Sequence, residues 1–155
     1  MPNFDFVRQT LPALHADCER AESYLASDPR AACFYARRTA EGVVGYLYDV
    51  LALRRPYRDD LAARVSDAGF QAKVPHGITA KLTTIRRISN IAVHEDKLIR
   101  PDVSLALLRE LFNVVVWTSY HHSAHPELVP LEARFDPALA AKAAPLPRAE
   151  VTRLA

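Results

Sequence analysis

The placement of the prolines constrains this chain most. They stand between stretches in which apolar residues recur every three or four positions, and a proline is harmless in the first turn of a helix but breaks its interior. Eleven prolines and only four glycines therefore divide the sequence into helices; the period-two alternation that strands need is nowhere sustained. Pro12 opens a first helix running to about Ala26, with Leu14, Cys18, Ala21 and Leu25 as its apolar stripe. Asp28-Pro29 reads as N-cap and first residue of a second and longest helix, which reaches about Leu53 through Cys33, Ala40, Val44, Leu47 and Leu51. Gly42 and Gly45 lie inside it at about 1 kcal/mol each, so they either let another helix approach closely or kink this one. A shorter third helix is expected from about Asp59 to Ala68, stopped by Gly69 as the residue past its C-terminus. A fourth spans about Pro75 to Ala92. A fifth runs from Pro101 to about His121 and is apolar nearly all round, which places it at the centre. The pattern predicts an all-α fold: a five-helix, mainly antiparallel bundle over residues 3–122.

Five of the eleven prolines lie at or beyond Pro126, among alanines and charged residues without an apolar period. Residues 123–155 thus read as an irregular Pro/Ala-rich linker or tail, leading to a further domain.

At 155 residues, half hydrophobic and a quarter charged, the chain has the size and balance of one globular domain. Its formal charge of +2 is too small to mark a nucleic-acid footprint by itself, so any basic surface must be local. There is no signal-peptide pattern and no run of roughly 18 apolar residues, which predicts a cytoplasmic protein with no membrane partner. Cys18 and Cys33 lack C-x-x-C spacing and read as small buried hydrophobes. His121 and His125 have the i, i+4 spacing of a metal pair. With Pro126 next and no third ligand nearby, they and His122 read instead as cations favoured at a helix C-terminus, and no metal site is expected.

One segment, residues 82–96, carries chemistry. At about 100° per residue, Ile78, Leu82, Ile85, Ser89 and Ala92 share one face of a helix, while Thr83, Arg86, Arg87, Asn90 and His94 gather on the other. Such a polar stripe can bind phosphate and assist RNA cleavage, with arginine neutralising charge and a neutral histidine taking a proton near neutral pH. It can equally be architecture, its side chains capping the helix, orienting the next loop and pairing Arg with Glu. Arg37 and Glu41 are i, i+4 on the long helix, with Arg37 on the side of Ala40 and Val44, so Arg37 is expected to pair internally. Glu41 is expected to reach Arg86 or Arg87 and tie the long helix to the stripe. Arg54, Arg55 and Arg58, with Tyr57 among them, form the strongest local basic patch, either a solvated helix end or a contact surface for DNA, RNA or an acidic partner.

The run Arg86-Arg87-Ile88-Ser89-Asn90-Ile91-Ala92-Val93-His94-Glu95 resembles the Leu-Arg-x-x-Gly-Asn-x-Ala-x-His-Glu signature of the helical domain at the N-terminus of type I restriction-modification R subunits. Asn3-Phe4-Asp5-Phe6, Ala21-Glu22, Asp28-Pro29, Phe34-x-x-Arg37-x-x-x-Glu41, Leu47-Tyr48 and Ala106-Leu107 to Trp117 are similar to the rest of that pattern, so the likeness covers about residues 3 to 120. Ser89 departs from it, standing where the family has glycine.

The resemblance implies a HEPN-like bundle acting as a non-catalytic accessory or docking domain, working with other restriction-modification subunits or downstream domains in phage defence. DNA and a second copy of the chain are further partners it admits. The domain itself would need no cofactor. ATP and Mg would serve an ATP-dependent endonuclease and translocase in later parts of the parent protein, since no G-x-x-x-x-G-K-[ST] loop occurs here. Some HEPN proteins are ribonucleases with Arg-x(4–6)-His at a homodimer cleft. Arg87 and His94, with six residues between them, fit that spacing, which makes a HEPN-like ribonuclease or toxin component the alternative; Ile88 departs from the polar residue usual after that arginine.

Overall fold

The computed structural model describes residues 1–94 and 98–141, and over them the protein is all-α, with no strand. The elements are α1 (Val7–Thr10), α2 (Pro12–Tyr24), α3 (Pro29–Val50), α4 (Leu61–Ser66), α5 (Ala68–Lys73), α6 (His76–His94), α7 (Pro101–His122), a 3-10 turn (Pro126–Leu128) and α8 (Pro137–Ala141). The prolines open helices as the sequence requires. Pro29 follows Asp28, whose carboxylate accepts the Ala31 N–H at 3.2 Å, and Pro101 is the first residue of α7.

Cross-helix bonds fix the directions. Asp17 meets Arg38 and Tyr24 stacks on Tyr35, so α2 and α3 run antiparallel. Arg30 meets Ala92 and Arg37 meets Ser89, so α3 and α6 are antiparallel too. Ser104 bonds the Pro29 carbonyl and Tyr46 the His122 carbonyl, which makes α3 and α7 parallel and α6 antiparallel to α7. Helix α7 lies centrally, burying Leu107, Leu108, Leu111, Phe112, Val114 and Val115 between α3, α6 and the two chain ends. Gly42 decides how closely α2 approaches: a Cβ there would stand 2.5 Å from Leu14 Cδ2.

Four boundaries differ from expectation. The long helix stops at Val50 rather than Leu53 because the chain turns left-handed at Ala52 (φ 53°). The Ala52 N–H then donates to Asp49 O (3.2 Å) and the Leu53 N–H to Tyr48 O (2.9 Å), the paired bonds of a Schellman stop with alanine in the usual glycine position. The expected third helix is two. Asp60 caps α4, Asp67 is extended, and its carboxylate accepts the N–H groups of Gly69 and Phe70 to start α5, so Gly69 lies in a first turn and does not end a helix. Val7–Thr10 add the short α1. The described part of the expected linker, 123–141, is packed rather than extended: Val129, Phe135 and Ala140 are buried, and Phe135 sits against Phe4 and Phe112, with ring centroids 6.1 and 6.0 Å away.

Candidate functional site: the arginine seam between α3 and α6

Helix α6 turns Ile78, Leu82, Ile85, Ser89 and Ala92 inward, the face expected from its periodicity. Arg37 reaches across from α3. Its Nη1 donates to Asn90 Oδ1 (2.6 Å) and Ser89 Oγ (3.1 Å), and its Nε to Glu41 Oε1 (2.9 Å). Ser89, fully buried, passes its own proton to Arg86 O at 3.1 Å. The hydroxyl at the position where the restriction-subunit pattern has glycine therefore takes part in the seam. Two turns earlier on α3, Arg30 Nη1 donates to Ala92 O at 2.7 Å, satisfying a carbonyl in the last turn of α6 that no residue within the helix can reach.

The stripe thus divides. Arg37, Asn90 and Glu41 are joined, and Arg37 pairs internally as expected. Glu41 does not tie α3 to Arg86 or Arg87; its carboxylate is taken by Arg37 on its own helix, one turn away. Arg86 is half-buried and its charge acts on Asp60. Arg87 is exposed and has no ion pair among the described residues. His94 closes α6; its side chain and all of Glu95 lie outside the described residues.

The basic patch occupies the loop between α3 and α4. Arg54 is exposed, Arg55 Nη2 lies 3.2 Å from Asp49 Oδ1, and Arg58 Nη2 lies 3.1 Å from Asp60 Oδ2. Arg64 on α4, which the sequence reading missed, is better held: its Nε meets Asp59 Oδ1 at 2.5 Å and its carbonyl accepts from Tyr48 Oη. The Arg64 hydrogen bond holds the Asp59 carboxyl below its usual range, and the Ala63 N–H does the same for Asp60. Two hollows flank this loop. One, of about 810 Å³, has Leu11, Leu14, Gly42, Tyr46, Arg55 and Arg64 among its walls. The other, of about 420 Å³, is bounded by Arg54, Arg55, Tyr57 and Asp67.

A third polar cluster joins the chain ends. Glu22, 1% exposed, accepts from Asn3 N (2.9 Å), Asn3 Nδ2 (2.8 Å) and Phe4 N (3.2 Å). Asn3 in turn bonds both the carbonyl and the N–H of Asp136. The available signal was an acid one turn past Cys18, on the edge of the apolar stripe of α2.

His121, His122 and His125 do not converge on a metal geometry. Helix α7 ends at His122, so His125 is off its face and pairs with Glu127, while the rings of His121 and His122 lie 5.2 and 5.3 Å from that of Trp117. Burial, then the neighbouring His121, push His122 below the usual histidine value. Among the described residues no group of three or more His, Cys, Asp or Glu could hold a metal ion. Cys18 and Cys33 are free and buried, and burial pushes both thiols above the usual cysteine value.

These features define a small helical bundle whose arginines fasten one helix to another. The family model described as "Domain of unknown function (DUF4145)" matches residues 19–148, and the chain belongs to that family. The match crosses residue 122, in keeping with the packing of residues 123–141 on the bundle. No curated protein and no solved structure matches the chain. Among the described residues no helix is long and apolar enough to cross a membrane.

Proposed function

We propose that this chain is a non-catalytic accessory or docking domain of a type I restriction-modification R subunit, acting in the cytoplasm beside the subunits or domains that carry the nuclease and the ATP-driven motor. One observation supports it above the others. Asn90, a member of the polar stripe that would handle phosphate in a catalytic reading, is taken up by Arg37 across the α3–α6 seam at 2.6 Å. A bond of that kind, charge-assisted and partly buried, serves packing and leaves little capacity for a substrate.

The second reading, a HEPN-like ribonuclease or toxin component working as a homodimer, draws on Arg87, which is exposed and without an ion pair among the described residues. Incubating the protein with labelled single-stranded RNA and duplex DNA, beside His94→Ala and Arg87→Ala, separates the two. The docking reading expects no cleavage of either; RNA cleavage lost in both variants would replace it with the ribonuclease. The docking reading also expects translocase motifs in the gene beyond codon 155, and a stop codon there would sink it.

A further inference from the structure

The loop between α3 and α4 is more than a solvated helix end. Tyr57 stands wholly clear of the protein, at 105% relative exposure, between Arg54, Arg55 and Arg58. Arg55 lines both hollows beside the loop. Each hollow has an aromatic wall, Tyr57 in the smaller and Tyr46 in the larger. Across Asp60 the patch continues to α6, since Arg58 bonds that carboxylate and the charge of Arg86 acts on it. Five arginines (54, 55, 58, 64 and 86) here face four aspartates (49, 59, 60 and 67), which leaves the face one positive charge in excess. The acid in the smaller hollow, Asp67, has one oxygen engaged by the N–H groups of Gly69 and Phe70.

We propose that this face binds single-stranded nucleic acid, with Arg54, Arg55 and Arg58 against successive phosphates and bases lodged in the two hollows that Arg55 lines, one of them stacked on Tyr57. Alternating arginines and exposed aromatic walls are what a single strand needs, because every unpaired base offers a flat face to stack while the backbone follows the cations. A duplex keeps its bases inside and cannot fill the two hollows. The arginine–aspartate pairs at Arg55 and Arg58 are exposed, so exchanging a carboxylate for a phosphate costs little. Cleavage plays no part, and the inference does not rest on the docking reading: a ribonuclease result above would remove that reading and leave this one standing.

The test is fluorescence anisotropy with the full chain and labelled twelve-nucleotide oligo(U) and oligo(dT) at low salt, with unlabelled duplex DNA of equal length and poly-glutamate as competitors. Binding is expected to weaken steadily with added salt, by a log–log slope of about −0.7 per phosphate engaged. Tyr57→Ala should weaken it at least about fivefold, with Tyr57→Phe restoring most of the loss. Arg54→Glu with Arg58→Glu should abolish it. Tyr57 and Arg54 are exposed, so unchanged thermal melting will show that the variants fold. Absence of oligonucleotide binding, equal competition by duplex, Tyr57→Ala binding like the parent, or displacement by poly-glutamate at matched charge would each overturn the proposal, the last in favour of an acidic protein partner.

Discussion

Glu22 and Arg58 each form hydrogen bonds of about three ångströms, yet the two clusters they belong to differ in kind. Around Glu22 the carboxylate is sealed from water and its three donors come from the N-terminal arm, with Asn3 carrying the link on to Asp136 more than a hundred residues away. Around Arg58 and Arg55 the partners lie two to six residues apart on the exposed end of α3 and the loop that follows it. A buried polar group left without its partner keeps the full desolvation cost, whereas an exposed pair is screened and replaced by water. The first cluster is therefore committed to holding the chain ends together, and the second is available to a ligand. The α3–α6 seam stands between them, half-buried.

That contrast can be broken by measurement, and the chain ends give the largest effect. Phe135→Ala removes a buried ring from the contact with Phe4 and Phe112 and should cost about 3 kcal/mol in urea unfolding. A cost below about 1 kcal/mol would mean that residues 123–141 only rest on the bundle. Glu22→Gln keeps the shape but turns one acceptor oxygen into an amide nitrogen facing donors, and should cost about 2 kcal/mol. If Arg58→Ala proved as costly, the division between sealed and open clusters would fail.

Much of the bundle was legible because prolines and apolar period agree over long stretches. The inward face of α6, Ile78 to Ala92, follows from spacing alone, and Arg37 betrayed its pairing by lying on the apolar side of α3. What escaped depends on single local devices. The stop of α3 is a left-handed alanine where a glycine would have announced it. The break between α4 and α5 is one aspartate accepting two N–H groups, which competes with helix continuation only once the chain is extended there. The packing of the C-terminal segment hangs on Val129 and Phe135, two apolar residues without periodicity between prolines. The candidate site was legible as a set of residue types and not as a set of contacts: Glu41 had two plausible arginine families to choose from, and the nearer one, on its own helix, won.

The seam should respond at an intermediate level. Arg37→Ala strips donors from Asn90 and the buried Ser89 and should cost about 1 to 2 kcal/mol, with Arg37→Lys recovering only part because one ammonium cannot span Glu41, Ser89 and Asn90 together. A neutral result would return Asn90 to the pool of groups free to act on a substrate, and would weaken the docking reading with it.

The exposed loop should give the smallest effect, visible only through pH. Arg64 holds the Asp59 carboxyl below its ordinary value of 3.8, so the folded protein binds that proton less readily than the unfolded chain. Stability from this pair is then fully present above the ordinary value and is lost as pH falls through the lowered one. Melting temperature measured from pH 6 downward should be flat as far as this pair is concerned until about pH 4, then fall, with Asp59→Asn removing a small part of the fall. Because Asp59 is exposed, half-molar salt should erase the difference between parent and variant, the Debye length having shrunk to a few ångströms. A salt-resistant difference would mean that Arg64 and Asp59 form a sealed pair like the Glu22 cluster, and the arginine face would then offer a ligand one cation fewer.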